Sequence, residues 1–217
     1  MNLKNKRILI TAGPTWVPID RVRVISNIAT GETGILLAEK LLQRGAKVTL
    51  LLGPTAACCL NRKIKLIRFK FFDELKEIII KELRSKKYAA VVHSAAVSDY
   101  AAAVTFADKV KSGRKIWNLR LVPTSKIIDL IKKIDRSVFL VGFKFEPDLN
   151  AGRLISKARR LLKKSGLNLA VANTVRNKRY EAYLVDHKSQ RGPFLSKENM
   201  AKNLINLFET NNLTPNT

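Results

Sequence analysis

The sequence ITAGPTWVPIDRVRVISNIATGETG, residues 10–34, decides the fold class and the position of the site. It begins as a buried strand and then runs through a long loop to a helix, which we expect to begin at about Ile35. A simple strand-to-helix connection needs about 2–6 residues, so this loop is too long to serve only as a connection. Because long loops on an α/β scaffold usually carry a site, we interpret it as a phosphate-binding and acyl-activating loop.

The rest of the chain alternates short apolar strands with amphipathic helices. Asp73 and Ser125 are the expected N-caps of two helices, and Gly45 and Gly166 are the expected stops of two others. This pattern predicts an α/β fold, a doubly wound, mostly parallel Rossmann-like sheet with helices on both faces. The expected strands are Arg7–Ala12, Lys47–Leu52 and residues 65–69, 89–93, 115–122, 138–142, 167–173 and 181–186, and the expected helices are residues 35–44, 73–86, 125–133, 149–165 and 196–208.

The sequence shows neither an internal repeat nor a linker. We therefore expect residues 1–217 to form one domain, with a frayed tail at residues 211–217. Hydrophobic residues make up 46% of the chain, which is enough for a sizeable core. With no signal peptide and no long apolar run, the protein is expected to be soluble and cytoplasmic, without a membrane partner.

Basic residues are in strong excess. The 41 Lys+Arg against 17 Asp+Glu give a net charge of +24. They are spread along the chain, which is typical of solvated helix faces and loops, although a positive field would also attract small phosphorylated substrates. Cys58 and Cys59 are adjacent, so neither a disulfide nor a zinc site is expected.

Four loops follow the carboxyl ends of predicted strands, the edge at which open α/β sheets bind ligands. In the first loop, Gly13 turns the chain, and Gly31 and Gly34 lead into a helix N-terminus that favours an oxyanion. Arg23 can bind a phosphate or carboxylate through two parallel hydrogen bonds, and the amide of Asn27 can polarise a carbonyl. The alternative is a glycine-bearing turn with a structural arginine, and the spacing is not that of dinucleotide binders.

The second loop follows the strand that ends at His93 and consists mainly of small residues. Ser94, Ala95 and Ala96 would let a flat ring lie against the backbone. Asp99 could coordinate Mg²⁺ or accept a hydrogen bond from a sugar hydroxyl, although an Asp that caps a loop also fits the sequence. His93 has no neighbouring ligand, so we expect a structural histidine.

The third and fourth loops carry basic and aromatic residues. Lys109 and Lys111 lie in a segment that could close over the crevice and neutralise a triphosphate, or could be a solvated basic loop. A helix N-terminus at Ser125 and Phe143 at a strand end could clasp a base, or Phe143 could pack in the core. The sequence contains no Ser-His-Asp or Cys-His arrangement, so a covalent hydrolase is not expected.

Together these residues resemble the phosphopantothenoylcysteine synthetases, the ligases of coenzyme A biosynthesis. The resemblance covers nearly the whole chain, from about residue 7 to residue 186, and its motifs occur in the family's order. They are residues 10–15 with Asp20, Arg23, Asn27, Gly31 and Gly34, then Ala-Ala-Val-x-Asp-Tyr at 95–100, Lys-x-Lys at 109–111, Val-Gly-Phe at 141–143 with Glu146, and Val-Ala-Asn at 171–173.

The resemblance implies a two-step reaction. A nucleoside triphosphate, CTP in most bacterial members, reacts with the carboxylate of 4′-phosphopantothenate to give pyrophosphate and an acyl nucleotidylate, and the amine of cysteine then displaces the nucleoside monophosphate. Lys109 would serve the first step and Asn27 would hold the acyl intermediate, with Mg²⁺ on the phosphates and Asp99 as its candidate ligand. The implied nucleotide-binding residues are Gly13, Ser94, Ala95, Asp99, Lys109, Ser125, Lys126, Ile127 and Phe143, and the implied substrate-binding residues are Arg23, Asn27, Gly31 and Ala96.

The resemblance also implies a homodimer with its sites near the subunit interface. Many bacterial members are fused to an N-terminal flavin-dependent decarboxylase. Because this chain starts directly at the synthetase strand, we expect the decarboxylase to be a separate polypeptide and this chain to use no flavin.

Several positions around the nucleotide pocket depart from the bacterial pattern. Lys126 stands where bacterial members commonly carry Asp, and residues 143–146, Phe-Lys-Phe-Glu, resemble the eukaryotic ATP-using members. Glu32 stands where many bacterial members have a basic residue, and Ser112 where the family often has Lys. These departures leave both CTP and ATP open, and Lys157 is one candidate for a nucleotide contact from the basic helix.

Two other classes of function were weighed against the ligase. A nicotinamide-dependent oxidoreductase would need the glycine fingerprint and an acidic residue after the second strand, where Leu52 and Gly53 stand. A basic nucleic-acid-binding module would need an aromatic-rich face, but aromatic residues make up only 7% of the chain and no binding motif is present. We therefore expect small-molecule partners and no nucleic acid.

Overall fold

The computed structural model describes residues 3–59 and 61–210. The expected tail at residues 211–217 lies outside this part. The elements are β1 (Arg7–Ala12), β2 (Trp16–Pro18), β3 (Val24–Ser26), α1 (Glu32–Gln43), β4 (Lys47–Leu52), β5 (Lys65–Arg68), α2 (Phe72–Ser85), β6 (Ala90–His93), β7 (Tyr100–Ala102), β8 (Leu121–Pro123), α3 (Ile127–Ile134), β9 (Phe139–Phe145), α4 (Ala151–Ser165), β10 (Leu169–Arg176), β11 (Arg179–Val185), β12 (Gln190–Phe194) and α5 (Lys197–Thr210).

One sheet organises the fold, with the strand order β12-β11-β10-β9-β6-β1-β4-β5. The strands from β10 to β5 run parallel, and β11 and β12 are added antiparallel at one end. Helices α1 and α5 pack on one face, and α2, α3 and α4 pack on the other. The predicted doubly wound, mostly parallel α/β fold is therefore confirmed, whereas a single domain over residues 1–217 stays a prediction.

The core lies on both faces of this sheet because its central strands carry buried apolar residues on both sides. Along β1, Ile8 and Ile10 face the α1/α5 side, while Leu9 faces the α2–α4 side, and all three are fully buried. Burying such a side chain stabilises the fold by roughly 1.5–3 kcal/mol. Because β4 and β6 lie on opposite sides of β1, the winding direction changes there, and such a switch point opens a crevice at the carboxyl edge.

Helix α1 begins at Glu32 rather than near Ile35, so that expectation was wrong. Gly31 is its N-cap, in the left-handed conformation at φ 74°. Gly34 lies inside the first turn, where an added Cβ would be 2.3 Å from the Cβ of Ala12. The sequence suggests that both glycines belong to a loop. Residue 34 is instead a helical position, which must be glycine because the helix packs closely on β1.

The expected caps of α2 and α3 were also wrong. Helix α2 begins at Phe72, one residue before Asp73, and the Glu74 carboxylate accepts a hydrogen bond from the backbone N–H of Lys70 at 2.7 Å. The N-cap of α3 is Lys126 rather than Ser125, and no side chain caps it. At the other end of the chain, Gly166 ends α4 in the left-handed conformation, as predicted.

Several strand boundaries differ from the prediction. The expected strand at residues 115–122 reduces to β8, which pairs only with β7. Strand β9 continues to Phe145 and β10 to Arg176, beyond the predicted ends at 142 and 173. Strands β7 and β12 and the β2–β3 hairpin were not predicted, because these short segments become strands only through pairing. None of the described helices is long and apolar enough to span a membrane.

Candidate active site

A crevice of about 660 Å³ lies at the carboxyl edge of the sheet, beside the switch point. The loops after β1, β3 and β6 surround it, together with the N-termini of α1 and α5 and the ends of β9, β10 and β11. It brings together part of the predicted site, while the third predicted loop, with Lys109, is not among its walls. The predicted residues that line it are Gly13, Asn27, Gly31, Ser94, Ala96 and Phe143.

Backbone pairing joins the opening loop to the second loop. The N–H of Ala96 donates to the carbonyl of Gly13 at 2.9 Å, and the N–H of Thr15 donates to the carbonyl of Ala96 at 3.3 Å. The Asn27 side-chain amide also donates to the Ala96 carbonyl, at 2.9 Å. An amide nitrogen carries two N–H groups, so Asn27 keeps one donor and its oxygen for a ligand.

Thr15 is a structural residue of this junction that the sequence analysis did not identify. It is fully buried, and its hydroxyl accepts a hydrogen bond from the backbone N–H of Ser98 at 2.9 Å. The residue therefore fixes the second loop against the first. A threonine after Gly-Pro gives no sequence signal for this role, because the partner is distant in the chain.

The floor of the crevice is a close contact between two glycine turns. A Cβ on Gly31 would lie 3.4 Å from the backbone nitrogen of Gly13 and 3.1 Å from the Leu52 side chain. Gly31 also begins α1, whose free N–H groups and positive dipole end favour an anion. The acidic residue in this first turn, Glu32, pairs with Lys197 at 2.6 Å, and the hydrogen bond and charge of Lys197 lower the pKa of Glu32.

Arg23 lies beside the crevice rather than among its lining residues. Its guanidinium donates to the Asp20 carboxylate at 2.7 Å and to the carbonyl of Val110 at 3.2 Å, and it stacks on the Trp117 ring at 5.1 Å. These contacts suit an arginine that positions the loops. To bind a substrate directly, the Arg23 guanidinium would have to give up its contact with Asp20, Val110 or Trp117.

Asp20 ties the opening loop to the segment that carries Lys109. Its carboxylate accepts hydrogen bonds from the backbone N–H groups of Val22, Arg23 and Val110 at 2.8–3.1 Å. Burial acts to raise the pKa of the Asp20 carboxyl, but these hydrogen bonds and the charge of Arg23 outweigh it, and the net pKa is lowered. Val110 is buried, while Lys109 on its flank is exposed to solvent.

A second cluster of predicted residues lies at the N-terminus of α3. The Lys126 ammonium forms an ion pair with the Asp99 carboxylate, and both side chains are about half exposed. Thr124 links this region to the second loop, because its hydroxyl donates to the Ser98 carbonyl at 2.8 Å. Ser125 is exposed at this cluster, whereas Ile127 is buried in the core.

The second loop separates the crevice from this cluster. Ser94 and Ala96 line the crevice, and the Ser94 hydroxyl donates to the Thr11 carbonyl at 2.7 Å. Ala95 packs instead with the core on the α2–α4 face. A ligand that follows this loop can therefore reach both groups of predicted residues.

The expected clasp of one base between the helix N-terminus at Ser125 and Phe143 stays a prediction, and of these two residues Phe143 lines the crevice whereas Ser125 does not. Phe143 packs with the core on the α1/α5 face and lines the crevice, while Ile127 belongs to the core on the other face. The reason is that β9 extends to Phe145. Side chains alternate along a strand, so Phe143 shares the face of Val141.

His93 has the structural role that the sequence predicts. The ring is buried, and Nδ1 lies 2.8 Å from the Thr11 hydroxyl. Burial lowers the pKa of His93 to about 4. The ring is therefore neutral near pH 7.

A carboxylate flanked by two lysines lies at the end of β9. Glu146 pairs with Lys144 at 2.8 Å and with Lys157 of α4 at 2.7 Å. The hydrogen bonds from Lys144 and then Lys157 lower the pKa of Glu146. This arrangement holds the candidate lysine of α4 near the carboxyl edge.

One wall of the crevice consists of Phe145, Asn173, Val175 and Tyr180, which lie on β9, β10 and β11. The sequence places Phe145 near the nucleotide pocket, but Asn173, Val175 and Tyr180 were not among the predicted site residues. Asn173 could have been suspected because it lies near the carboxyl end of an apolar strand. Tyr180 could not, because it reaches the crevice only through the antiparallel pairing of β11 with β10.

Comparisons with known proteins find related sequences over nearly the whole chain. The family model described as "DNA/pantothenate metabolism flavoprotein C-terminal domain" matches residues 3–211. A protein described as "Coenzyme A biosynthesis bifunctional protein CoaBC", from Thermococcus kodakarensis, is 39% identical over 212 residues, which are 96% of this chain and 52% of that protein. A protein of the same description from Borreliella burgdorferi is 30% identical over 95% of this chain and 53% of its own length.

A solved structure shows the same fold. The structure described as the DNA/pantothenate metabolism flavoprotein from Streptococcus pneumoniae matches with a TM-score of 0.85 and 25% identity, over 94% of this chain and 99% of that chain. The chain spans about half the length of the curated relatives it matches.

Proposed function

Because the chain belongs to the DNA/pantothenate metabolism flavoprotein C-terminal domain family, we propose that it joins 4′-phosphopantothenate to cysteine in coenzyme A biosynthesis. The reaction passes through an acyl nucleotidylate formed from CTP or ATP. The observation that carries the proposal is that Gly13, Asn27, Gly31 and Ala96, from two separate sequence motifs, surround one crevice. The names of the relatives, which refer to coenzyme A biosynthesis, support it.

The glycine turns and the N-terminus of α1 offer a place for the phosphate of the acyl substrate. Backbone N–H groups and the helix dipole favour an anion there, and Lys197 offsets the charge of Glu32. The substrate carboxylate would then lie near Asn27, which Ala96 holds in position. This placement needs no protein nucleophile, because orientation and electrostatic stabilisation perform the activation.

The nucleotide would follow the second loop toward the N-terminus of α3. Ser94, Ala95 and Asp99 lie along this path, and Lys126 lies at its end. Lys109 would approach the triphosphate by movement of its segment, which Asp20 and Arg23 anchor at Val110. Lys144 and Lys157 add positive charge at the neighbouring edge.

Mg²⁺ would neutralise charge on the phosphates. No group of three or more His, Cys, Asp or Glu residues capable of holding a metal occurs in the described ranges. Asp99 alone is positioned beside the nucleotide path, and it is paired with Lys126. A single carboxylate fits an ion that keeps water and substrate phosphates as most of its ligands.

The chemistry balances without a protein nucleophile. In the first step the carboxylate oxygen forms a bond to the α-phosphorus, and pyrophosphate leaves with the bonding electrons. In the second step the neutral amine of cysteine attacks the acyl carbon, the C–O bond breaks, and the nucleoside monophosphate leaves. The excess proton of the new amide passes to solvent.

A homodimer is part of the proposal. Two small two-stranded sheets near the site, β2–β3 and β7–β8, lie against each other and leave apolar side chains exposed. Contiguous exposed apolar surface marks an association site. The exposed residues are Val22, Val24, Ile25, Tyr100, Leu121 and Val122, which are 37–63% exposed.

The proposal is tested by pyrophosphate release from the purified chain with 4′-phosphopantothenate, cysteine and Mg²⁺, with CTP and ATP in parallel. We expect release that requires 4′-phosphopantothenate, and the faster nucleotide identifies the co-substrate. The absence of release with both nucleotides would contradict the proposal. Lys109→Gln should abolish release, whereas Lys63→Gln, an exposed lysine before β5, should not.

The role of Asn27 has a separate signature. Asn27→Asp should allow pyrophosphate release but accumulate the acyl nucleotidylate, with little amide product. Normal amide formation by this variant would show that Asn27 does not hold the intermediate.

A further inference from the structure

A second concave region lies at the amino edge of the sheet, at the opposite end of the parallel strands from the candidate active site. Its volume is about 430 Å³, and we term it the amino-edge cleft. The residues that line it belong to the starts of β1, β4 and β6 and to the turns before them, and they are Asn5, Lys6, Arg7, Lys47, Lys87, Tyr88 and Ala89. Four of these seven residues are basic and none is acidic.

Strand pairing holds three of the cations close together. Arg7 and Lys47 are paired in register on β1 and β4, and neighbouring strands lie about 4.8 Å apart. Both side chains point to the α2–α4 face, because Arg7 is two residues before Leu9, which packs there, and partners in register share a face. The backbone N–H of Ala89 donates to the Arg7 carbonyl at 2.8 Å, which places Lys87 on the other side of Arg7.

The buried carboxylate beside the cleft does not neutralise these cations. Glu82 accepts a hydrogen bond from the Tyr88 hydroxyl, and it forms ion pairs with Lys65 at 2.7 Å and with Lys86 at 3.0 Å. Both of these lysines lie outside the lining of the cleft. Among the described residues, no group forms an ion pair or a hydrogen bond with the side chain of any of the four basic lining residues.

The other sources of negative charge at this edge are small. The C-terminal ends of α1 and α2 lie here, and each carries about half a negative charge. Asp135 interacts electrostatically with Lys87, but it already accepts two hydrogen bonds from Ser137, at 2.6 and 2.8 Å. Four basic side chains against one carboxylate and two helix ends leave an excess of about two positive charges.

The side chains of the cleft indicate the class of ligand. A guanidinium binds phosphate through two parallel hydrogen bonds, and ammonium groups neutralise phosphate as point charges. Linked phosphates carry several negative charges over a short distance, which matches the excess better than a single carboxylate does. Tyr88 is the aromatic residue of the lining, and it is buried with its hydroxyl hydrogen-bonded, so it offers no exposed ring on which a base could stack.

We propose that the amino-edge cleft binds a chain of linked phosphates, as in tripolyphosphate or the triphosphate group of a nucleotide, through Arg7, Lys47 and Lys87. The site shares no residue with the candidate active site. The inference is therefore independent of the proposed function. A bound polyphosphate would also remove the repulsion between cations that the sheet holds at neighbouring strand starts.

Lysine labelling followed by mass spectrometry tests the proposal at individual residues. The purified wild-type chain is acetylated with an amine-reactive reagent at increasing concentrations of inorganic tripolyphosphate. Lys47 and Lys87 should be protected at a concentration about tenfold below the one at which sulfate protects them at matched ionic strength. Lys202, an exposed residue of α5, should react equally throughout. Equal protection by the two anions, or no protection of Lys47 and Lys87, would overturn the inference.

Arg7→Gln removes the guanidinium from an exposed position at the start of β1. It should raise the tripolyphosphate concentration that half-protects Lys47 and Lys87 by about tenfold, because a hydrogen bond to a charged group is lost. Lys202→Gln is the matched control and should leave this concentration unchanged. Far-UV circular dichroism checks that both variants fold, and a folded Arg7→Gln protein with wild-type protection would contradict the proposed site.

ATP in place of tripolyphosphate distinguishes the two sources of linked phosphates. An equal half-protecting concentration would show that the phosphate chain alone is recognised, whereas a lower one would identify a nucleotide as the ligand. Protection of Lys109 without protection of Lys47 and Lys87 would place all binding at the candidate active site and overturn the inference. Because labelling needs no turnover, the absence of ligase activity would contradict the proposed function and leave this result unaffected.

Discussion

Gly34 shows, at the scale of one residue, how packing can determine residue identity within a helix. A glycine in a helix usually destabilises it by about 1 kcal/mol relative to alanine. Here the first turn of α1 approaches β1 so closely that a Cβ would lie 2.3 Å from the Cβ of Ala12 and 3.0 Å from the Ser94 hydroxyl. The missing side chain therefore lets the N-terminus of α1 lie at the floor of the crevice.

We expect Gly34→Ala to lower the free energy of unfolding by about 1–3 kcal/mol, because the added methyl group overpacks a rigid contact. Gly152→Ala is the matched control, since a Cβ at this exposed position of α4 would meet only Asn150 Oδ1, at 3.8 Å. The control should leave stability unchanged or raise it by up to about 1 kcal/mol. Urea unfolding measures both, and equal effects of the two substitutions would contradict the packing argument.

At the scale of elements, the side-chain contact between β1 and β6 is the clearest link between strand pairing and the site. Thr11 and His93 are paired in register, and their side chains are hydrogen-bonded at 2.8 Å. The backbone N–H of Ala95 also donates to the Thr11 hydroxyl, at 3.3 Å. The start of the second loop is thus fixed by a neutral histidine that takes no part in the proposed chemistry.

This contact predicts a pH dependence of stability. The pKa of His93 is lowered from 6.5 to about 4 in the folded state. Below pH 6.5 the unfolded ring binds a proton that the folded ring does not, so stability is fully present above pH 6.5 and falls as the pH falls toward 4. We expect a loss of about 2 kcal/mol between pH 7.5 and pH 5.

Urea unfolding at several pH values tests this expectation. His93→Gln should remove most of the dependence between pH 7.5 and pH 5. His187→Gln, at an exposed ring that contacts the Leu167 carbonyl, should retain it. A wild-type stability that is flat over this range would show that His93 titrates normally.

At the scale of the whole molecule, the surface combines a large positive charge with an apolar region. The net charge of +24 favours the approach of phosphorylated substrates and opposes self-association. The two small sheets β2–β3 and β7–β8 act in the opposite sense, because their apolar side chains would be buried in a dimer. The β2–β3 sheet is part of the opening loop, which places the proposed subunit interface close to the site.

We expect the wild-type protein to sediment as a dimer at micromolar concentration. Ile25→Asp, on the exposed strand β3, should shift the equilibrium to the monomer, because a carboxylate would be buried in the interface. Leu195→Asp is the control, since Leu195 is 70% exposed and lies between β12 and α5, outside the two small sheets. Sedimentation velocity distinguishes the outcomes, and a monomeric wild type would contradict the proposed interface.

The sheet, the helices on both faces and the edge that carries the site could all be predicted from the amino-acid sequence. These follow from apolar periodicity and from glycines at turns, which act over short stretches of chain. It also placed Gly13, Asn27, Gly31 and Ala96 in one site, because strand ends of a parallel sheet must meet. Its motifs further indicated the family, which the comparisons confirmed.

Only the tertiary structure decided which side chains share a face and which already have partners. The extension of β9 put Phe143 on the α1/α5 side, away from Ile127, and the pairing of β11 brought Tyr180 into the crevice. Arg23 and Asp99 lie in sequence motifs typical of ligand contacts, but in the fold each side chain already forms an ion pair. Such outcomes depend on strand register and on contacts between residues far apart in the chain, which local sequence patterns do not encode.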